Sequence, residues 1–195
     1  MTSCASPTST MFVMRLGGTA MENKSKSFAS LNNAVMAAEG AVTTISRVEL
    51  NLLRKLATAQ REKKARILLH GDSGHSLHEM LITHSNGSYI RPHINESSAK
   101  SFLVLEGEMM VFFFDDRGGI SDRYLLRPEK SGGDFMLRFQ NPVFHTLVVM
   151  SETVSFLETV LGPHRQTRYA EFAPEPSDRL AVDEYFAWLV CESQK

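Results

Sequence analysis

The segment between two glycines, Gly87 and Gly107, is the part of the chain that most constrains its fold. Between the glycines lie His93, Asn95 and Lys100, in that order. Residues two apart on a strand point to the same face, so His93 and Asn95 share a face. Lys100 follows on the neighbouring strand after a short turn. We therefore expect these three side chains to line the lumen of one barrel.

The region from residue 65 to residue 160 consists of short apolar runs separated by turn residues, which is typical of an all-β sandwich or barrel. Turns are predicted at residues 86–87, 116–119 and 131–133. Nine strands are enough for a closed jelly roll. The nine runs are residues 66–69, 78–84, 89–94, 101–105, 109–114, 124–126, 135–139, 146–150 and 154–160.

The run at residues 109–114, MMVFFF, is apolar at every position and therefore on both faces of a strand. Such a strand is central in its sheet, or lies at an edge that another subunit covers. Together with an amphipathic C-terminal helix, this run leads us to expect a homodimer.

Two helices are predicted to flank the barrel. Ser46 and Glu49 form a capping box for a helix at residues 47–60. Ser177 is the expected cap of a second helix at residues 178–190. The apolar stripe of that second helix is formed by Val182, Phe186, Leu189 and Val190.

The spacing of the first segment resembles the metal-binding signature of the cupin superfamily. That signature has two histidines and a glutamate at the positions of His93, Asn95 and Lys100, so two of three ligands are replaced. A second, downstream signature retains only its histidine, at His145. The resemblance implies a cupin-type double-stranded β-helix, a jelly-roll barrel with an N-terminal and a C-terminal helix. It also implies that His93, His145 and the Asn95 position are the metal ligands.

A more specific resemblance, to the WbuC family of cupin-fold metalloproteins, covers residues 34–190. Members of that family typically read YIRPHRH and then Glu-Ser-Phe before an LEG motif, so this sequence departs from them at Asn95 and Lys100. The family takes its name from gene clusters for bacterial surface polysaccharide, the O-antigen. The resemblance thus suggests a role in polysaccharide or nucleotide-sugar metabolism. The segments that carry it are LLHGDSGHSLHEMLI (68–82), GSYIRPH (87–93), FLVLEGEMMVFFFDDRGGI (102–120), VFHT (143–146) and FLETVLGPH (156–164).

A divalent metal such as Zn, Ni, Fe or Mn would suit imidazole and carboxylate ligands at these positions. Asn95 supplies only a neutral amide, and an inward-pointing Lys100 would repel the ion. Glu158 or Glu96 could neutralise that lysine, and the alternative is that Lys100 points outward from its turn. A small-molecule ligand, such as a sugar or sugar phosphate, is expected in the same pocket. The predicted pocket residues are Lys100, Tyr89, Arg91, His78 and Glu158.

The predicted organisation is a disordered extension at 1–33, a strand and helix segment at 34–64, the barrel at 65–163 and a closing segment at 164–195. The 195 residues carry a formal net charge of -1, which gives no reason to expect a nucleic-acid partner. No apolar run is long enough to cross a membrane. The two cysteines do not suggest a disulfide framework, so a cytoplasmic location is expected.

Three classes of function remain open from the sequence, and whether the protein is an enzyme remains open with them. A ligand-binding cupin with a degenerate metal site is favoured, because Lys100 and Arg91 suit a polar ligand. The second class is a metal-dependent enzyme of the isomerase, epimerase or dioxygenase type. The third is a structural or partner-binding subunit.

Overall fold

The computed structural model describes residues 28–96, 99–140, 142–163 and 165–195. Within these residues the chain forms twelve strands, two α-helices and one short 3-10 helix, Glu129–Ser131. None of the helices described is long and apolar enough to span a membrane. The elements in chain order are β1 (Phe28–Asn32), β2 (Val35–Ala38), α1 (Arg47–Ala59), β3 (Lys64–Leu68), β4 (Leu77–Ser85), β5 (His93–Asn95), β6 (Ala99–Glu106), β7 (Met109–Phe114), β8 (Ile120–Leu126), β9 (Met136–Gln140), β10 (Phe144–Val149), β11 (Thr153–Leu161), β12 (Thr167–Tyr169) and α2 (Arg179–Glu192).

Two sheets build the barrel. One has seven strands in the order β1-β2-β3-β4-β11-β6-β9, and the other has five in the order β12-β5-β10-β7-β8. Their facing sides share one apolar core, to which β4, β6 and β11 of the first sheet and β7 and β10 of the second contribute. In both sheets, strands that are distant in the chain are neighbours, as in the pairs β4-β11, β6-β9 and β5-β10, which is typical of a jelly roll. The fold is the predicted cupin-type jelly-roll barrel with a helix on each side.

Strand β7 is central, because it pairs with β10 on one side and with β8 on the other. Met109, Val111 and Phe113 point into the core between the sheets. Met110, Phe112 and Phe114 point the other way, into a second cluster that includes residues of α2. The chain thus covers both faces of β7 itself, so this strand does not require a second subunit. The homodimer stays a prediction.

Helix α1 begins as predicted, with Ser46 as N-cap and Glu49 completing the capping box. It packs against the outer face of β3 and β4, where Ala65 and Ile67 are buried beneath Leu53. Side chains alternate along a strand, so the even-numbered residues of β3 face the opposite, inner side of the sheet. This packing determines which residues of β3 reach the lumen.

Several predicted boundaries differ from the structure. Order was expected from residue 34, but β1 lies before that residue and pairs with β2. Strand β2 in turn pairs in parallel with β3, so both strands extend the first sheet. The expected disorder of residues 1–27 lies outside the described residues. Of the strand predicted at 89–94, only His93 and Ile94 belong to β5, which continues to Asn95. Pro92 precedes them and has no N–H to donate to a ladder. The cap of α2 is Asp178 and not Ser177, because the Asp178 carboxylate accepts from the Ala181 N–H.

Candidate ligand-binding site

Four strands from the two sheets carry a polar cluster into the lumen. In the five-stranded sheet, His93 on β5 is the register partner of His145 on β10, and their rings are 4.5 Å apart. Asn95 lies on the same face of β5 as His93. In the seven-stranded sheet, β6 supplies Lys100 and β11 supplies Glu158. The structure thus brings together five of the eight site residues that the sequence predicted.

Lys100 is the centre of this cluster. Its side chain is 4% exposed, and its Nζ lies 3.3 Å from His145 Nε2 and 3.5 Å from Glu158 Oε1. Glu158 was one of the two carboxylates expected to neutralise Lys100, whereas Glu96 is exposed. The outward alternative for Lys100 is excluded by its burial. The ammonium group therefore has a charged and a neutral partner within the cavity wall.

The two histidines are held in one tautomer by the backbone. His145 Nδ1 lies 3.0 Å from the Val143 carbonyl oxygen, and His93 Nδ1 lies 3.0 Å from that of Arg91. A carbonyl only accepts, so each Nδ1 carries the proton and each Nε2 keeps a lone pair. The Nε2 of His145 accepts from Lys100.

Burial keeps both rings neutral. Desolvation, followed by the charge of Lys100, lowers the pKa of His93 to about 4. The same two causes lower the pKa of His145 well below its usual value. Desolvation also lowers the pKa of Lys100, and the attraction of Glu158 opposes that shift. At pH 7 the site therefore contains two neutral imidazoles beside one buried ion pair.

Asn95 has a buried side-chain oxygen, Oδ1, for which no hydrogen-bond donor lies within reach in the described part of the chain. A buried acceptor without a partner costs free energy of about 1–3 kcal/mol. Replacing Asn95 therefore breaks no hydrogen bond of Oδ1 in the described part of the chain.

The cluster forms one end of a cavity of about 860 Å³. The cavity runs across the inner face of the seven-stranded sheet from Glu158 on β11 to the β1–β2 hairpin. This volume suits a small molecule, and the wall combines apolar side chains with a few polar ones, as ligand sites usually do. Its polar lining includes Lys64, Arg66, His70, His78, His84, His93, Asn95, Lys100, Glu158 and Tyr169.

Two predicted pocket residues do not line this cavity. The Tyr89 hydroxyl donates to the Pro174 carbonyl. The Arg91 guanidinium donates to the carbonyls of Ala170 and Ala173 and pairs with Glu175. These bonds hold the closing segment against the barrel, and Tyr89 and Arg91 lie outside the cavity that contains Lys100. The sequence could not reveal this because the partners are some 80 residues away in the chain.

His78 does line the cavity, where its ring stacks on that of His70 at 4.1 Å. Sequence reasoning missed further lining residues, among them Lys64, Arg66 and His84. A signal for them was available. Ala65 and Ile67 are the apolar positions of β3, so its even-numbered neighbours had to face the other side. His84 has the same parity as His78 on β4.

A divalent metal does not fit this cluster. The two Nε2 lone pairs of His93 and His145 would be its nitrogen ligands, but Lys100 Nζ already lies within hydrogen-bond distance of one of them. A cation about 5 Å from a divalent ion costs about 7 kcal/mol at an effective dielectric of 20. In the described residues, no group of three or more His, Cys, Asp or Glu side chains could hold a metal. We therefore derive no metal chemistry for this site.

His84 should make the protein less stable in acid. Desolvation, with the charges of Lys64 and Arg66, lowers its pKa from 6.5 to about 3. The unfolded chain therefore binds a proton at His84 below about pH 6.5, while the folded chain does not until about pH 3. The neutral ring of His84 therefore makes its full contribution to stability above about pH 6.5. This contribution is lost as the pH falls from 6.5 towards 3. We expect His84 to account for about 2 kcal/mol of the unfolding free energy lost between pH 7 and pH 5.

Urea unfolding at both pH values, with His84→Gln as the control, measures this loss. The variant lacks the titrating ring and should lose about 2 kcal/mol less than the unmodified protein. Equal losses in the two proteins would show that His84 is not buried in its neutral form.

Comparisons with known proteins match the chain only in part. Residues 45–126, less than half of the chain, match a family model described as a domain of unknown function (DUF6016). No curated protein matches the sequence. The strand order and the lumen-facing cluster define a cupin-fold protein.

Solved structures that resemble the chain include a cupin superfamily protein from Desulfitobacterium hafniense, with 16% identity over 68% of this chain and 98% of that one, at a TM-score of 0.43. An oxalate oxidase has 12% identity over 66% of this chain and 68% of its own, at a TM-score of 0.46. Procruciferin, an 11S globulin from Brassica napus, has 15% identity over 48% of this chain, at a TM-score of 0.41. The chain spans only 23% of the procruciferin chain. Similarity at this level shows no shared activity.

Proposed function

We propose that this protein binds a small polar molecule, a sugar or sugar phosphate, in its lumen, and that the Lys100 ammonium occupies the position that a metal takes in other cupins. The observation that carries the proposal is the pair of contacts from Lys100 Nζ to His145 Nε2 and Glu158 Oε1 at one end of the cavity. Because the Lys100 ammonium is part of the chain, the site has a positive charge without a bound metal ion. The site recognises its ligand by hydrogen bonds and charge.

The chemistry of the cavity wall supports a hydroxylated ligand. Glu158 accepts hydrogen bonds, and the neutral His93 has a lone pair on Nε2. Sugar hydroxyl groups donate to such acceptors and also accept from an ammonium group. A site with a few fixed polar groups on an otherwise apolar wall gains its specificity in this way.

The resemblance to the WbuC family supports a role in bacterial surface-polysaccharide or nucleotide-sugar metabolism. A degenerate metal site is part of this proposal, because it explains why the ligand positions at Asn95 and Lys100 depart from the family pattern. A cytoplasmic location and a homodimer remain predictions that accompany it.

Calorimetric titration with glucose, glucose 1-phosphate, glucose 6-phosphate and a nucleoside diphosphate sugar tests this function. We expect at least one of them to bind, and Glu158→Gln to weaken that binding by about tenfold, about 1.4 kcal/mol. Glutamine retains an acceptor for Lys100 but removes the charge. Glu152→Gln is the matched control, because Glu152 is exposed in the turn before β11. The proposal is wrong if no probe binds, or if both variants bind every probe as the unmodified protein does.

A further inference from the structure

Lys64 and Arg66 lie side by side on the inner face of β3, and both line the cavity. Their intervening neighbour, Ala65, is buried on the opposite face beneath α1. The two side chains therefore project the same way, into the cavity. Across the strand pairing, Lys64 is opposite His84 on β4. This arrangement concentrates positive charge on one part of the cavity wall.

Within the described part of the chain, neither Lys64 nor Arg66 forms a hydrogen bond or an ion pair through its side chain. Burial lowers the pKa of Lys64, and the charge of Arg66 lowers it further. The charge of Glu62 raises this pKa, but its effect is the smallest of the three. Asp72, a carboxylate that also lines the cavity, accepts from the Gly74 N–H at 2.7 Å. Lys64 is half-buried and Arg66 is exposed, and among the described residues no carboxylate is bonded to either side chain. Both cations are therefore available to an anion that enters the cavity.

We propose that Lys64 and Arg66 bind a phosphate group of the ligand, so that the ligand of this cavity is a phosphorylated sugar and not a free sugar. This inference rests on the function proposed above. It assigns the phosphate group of the ligand to Lys64 and Arg66 on β3, away from the cluster around Lys100. Arg66 presents a planar, two-pronged donor that matches phosphate geometry, and Lys64 adds a point charge.

The spacing of the strands is consistent with such a ligand. Two strand separations, β3 to β4 and β4 to β11, lie between Arg66 and Glu158. Glu158 is level with Met80, and Arg66 is level with Ile82, two residues further along β4. At about 4.8 Å between strands and 3.4 Å per residue, the two backbones are roughly 12 Å apart. A sugar phosphate bridges this distance when both long side chains reach inward.

Calorimetry with glucose 1-phosphate, glucose 6-phosphate and glucose tests the inference. We expect at least one phosphate ester to bind tenfold or more tightly than glucose, and Lys64→Gln/Arg66→Gln to abolish that advantage, so that the variant binds the ester no more tightly than it binds glucose. Lys130→Gln/Arg138→Gln is the matched control. It removes the same two charges from exposed positions outside the cavity and should change neither affinity.

A second measurement isolates the phosphate subsite. Inorganic phosphate alone should shift the Lys64 side-chain nitrogen resonance of the unmodified protein and raise its pKa, because an anion stabilises the ammonium form. The inference is overturned if phosphate leaves this resonance unchanged, or if the esters bind no better than glucose. In that case, glucose binding that is sensitive to Glu158→Gln would leave the proposed function intact. Conversely, a phosphate response with no sugar probe affected by Glu158→Gln would support the subsite and contradict the proposed function.

Discussion

Asn95→His combined with Lys100→Glu is expected to raise the affinity for Zn²⁺ or Ni²⁺ by at least about 100-fold, or about 2.7 kcal/mol. The double change removes the ammonium that contacts His145 Nε2. It also adds an imidazole and a carboxylate beside His93 and His145, which gives the donor set of a metal-dependent cupin. Among the residues that the structure describes, the replaced Asn95 oxygen has no hydrogen bond to lose. Competition with a chromophoric chelator measures the gain.

Two controls separate repulsion from ligand donation. Lys100→Gln alone relieves the repulsion without adding a good donor, so it should give only part of the gain. Arg138→Glu makes the same change of charge on an exposed residue of β9 and should give none. The degenerate-site proposal fails if the double variant gains no affinity, or if elemental analysis finds stoichiometric metal in the unmodified protein.

Glu158→Leu is expected to lower the free energy of unfolding at pH 7 by about 3 kcal/mol, because it leaves the Lys100 charge without its ionic partner. Lys100 is 4% exposed and Glu158 is 15% exposed, so the lysine is the more deeply buried charge. Desolvation lowers the pKa of Lys100 even with Glu158 present, which shows that the pair does not fully offset the cost of burying the lysine. Urea unfolding monitored by circular dichroism measures the change.

The double variant Lys100→Met/Glu158→Leu removes both charges and should be as stable as the unmodified protein or more so, because apolar residues of similar volume often replace a buried ion pair without loss. Glu152→Leu is the control for the substitution itself, and a change within about 0.5 kcal/mol is expected at that exposed position. A double variant less stable than Glu158→Leu would show that the ion pair is not the origin of the effect.

The sequence by itself determined the architecture and the inward-facing positions. The alternation of apolar runs and turns predicted an all-β sandwich or barrel, and the capping box of Ser46 and Glu49 predicted the start of α1. A spacing of two residues was sufficient to orient His93 and Asn95 together, because strand geometry is local. These features depend on neighbours within a few residues, and the sequence contains them directly.

Only the tertiary structure decided which partner each inward or outward side chain meets. In the tertiary structure Lys100 pairs with Glu158, Arg91 donates to the closing segment, and α2 packs against β7. The tertiary structure also joined Lys64 and Arg66 to the cavity that contains Lys100. These contacts join residues far apart in the chain, and many alternative pairings share the same local pattern. Periodicity fixes the face from which a side chain projects, whereas the packing of the sheets and α2 fixes what lies opposite that face.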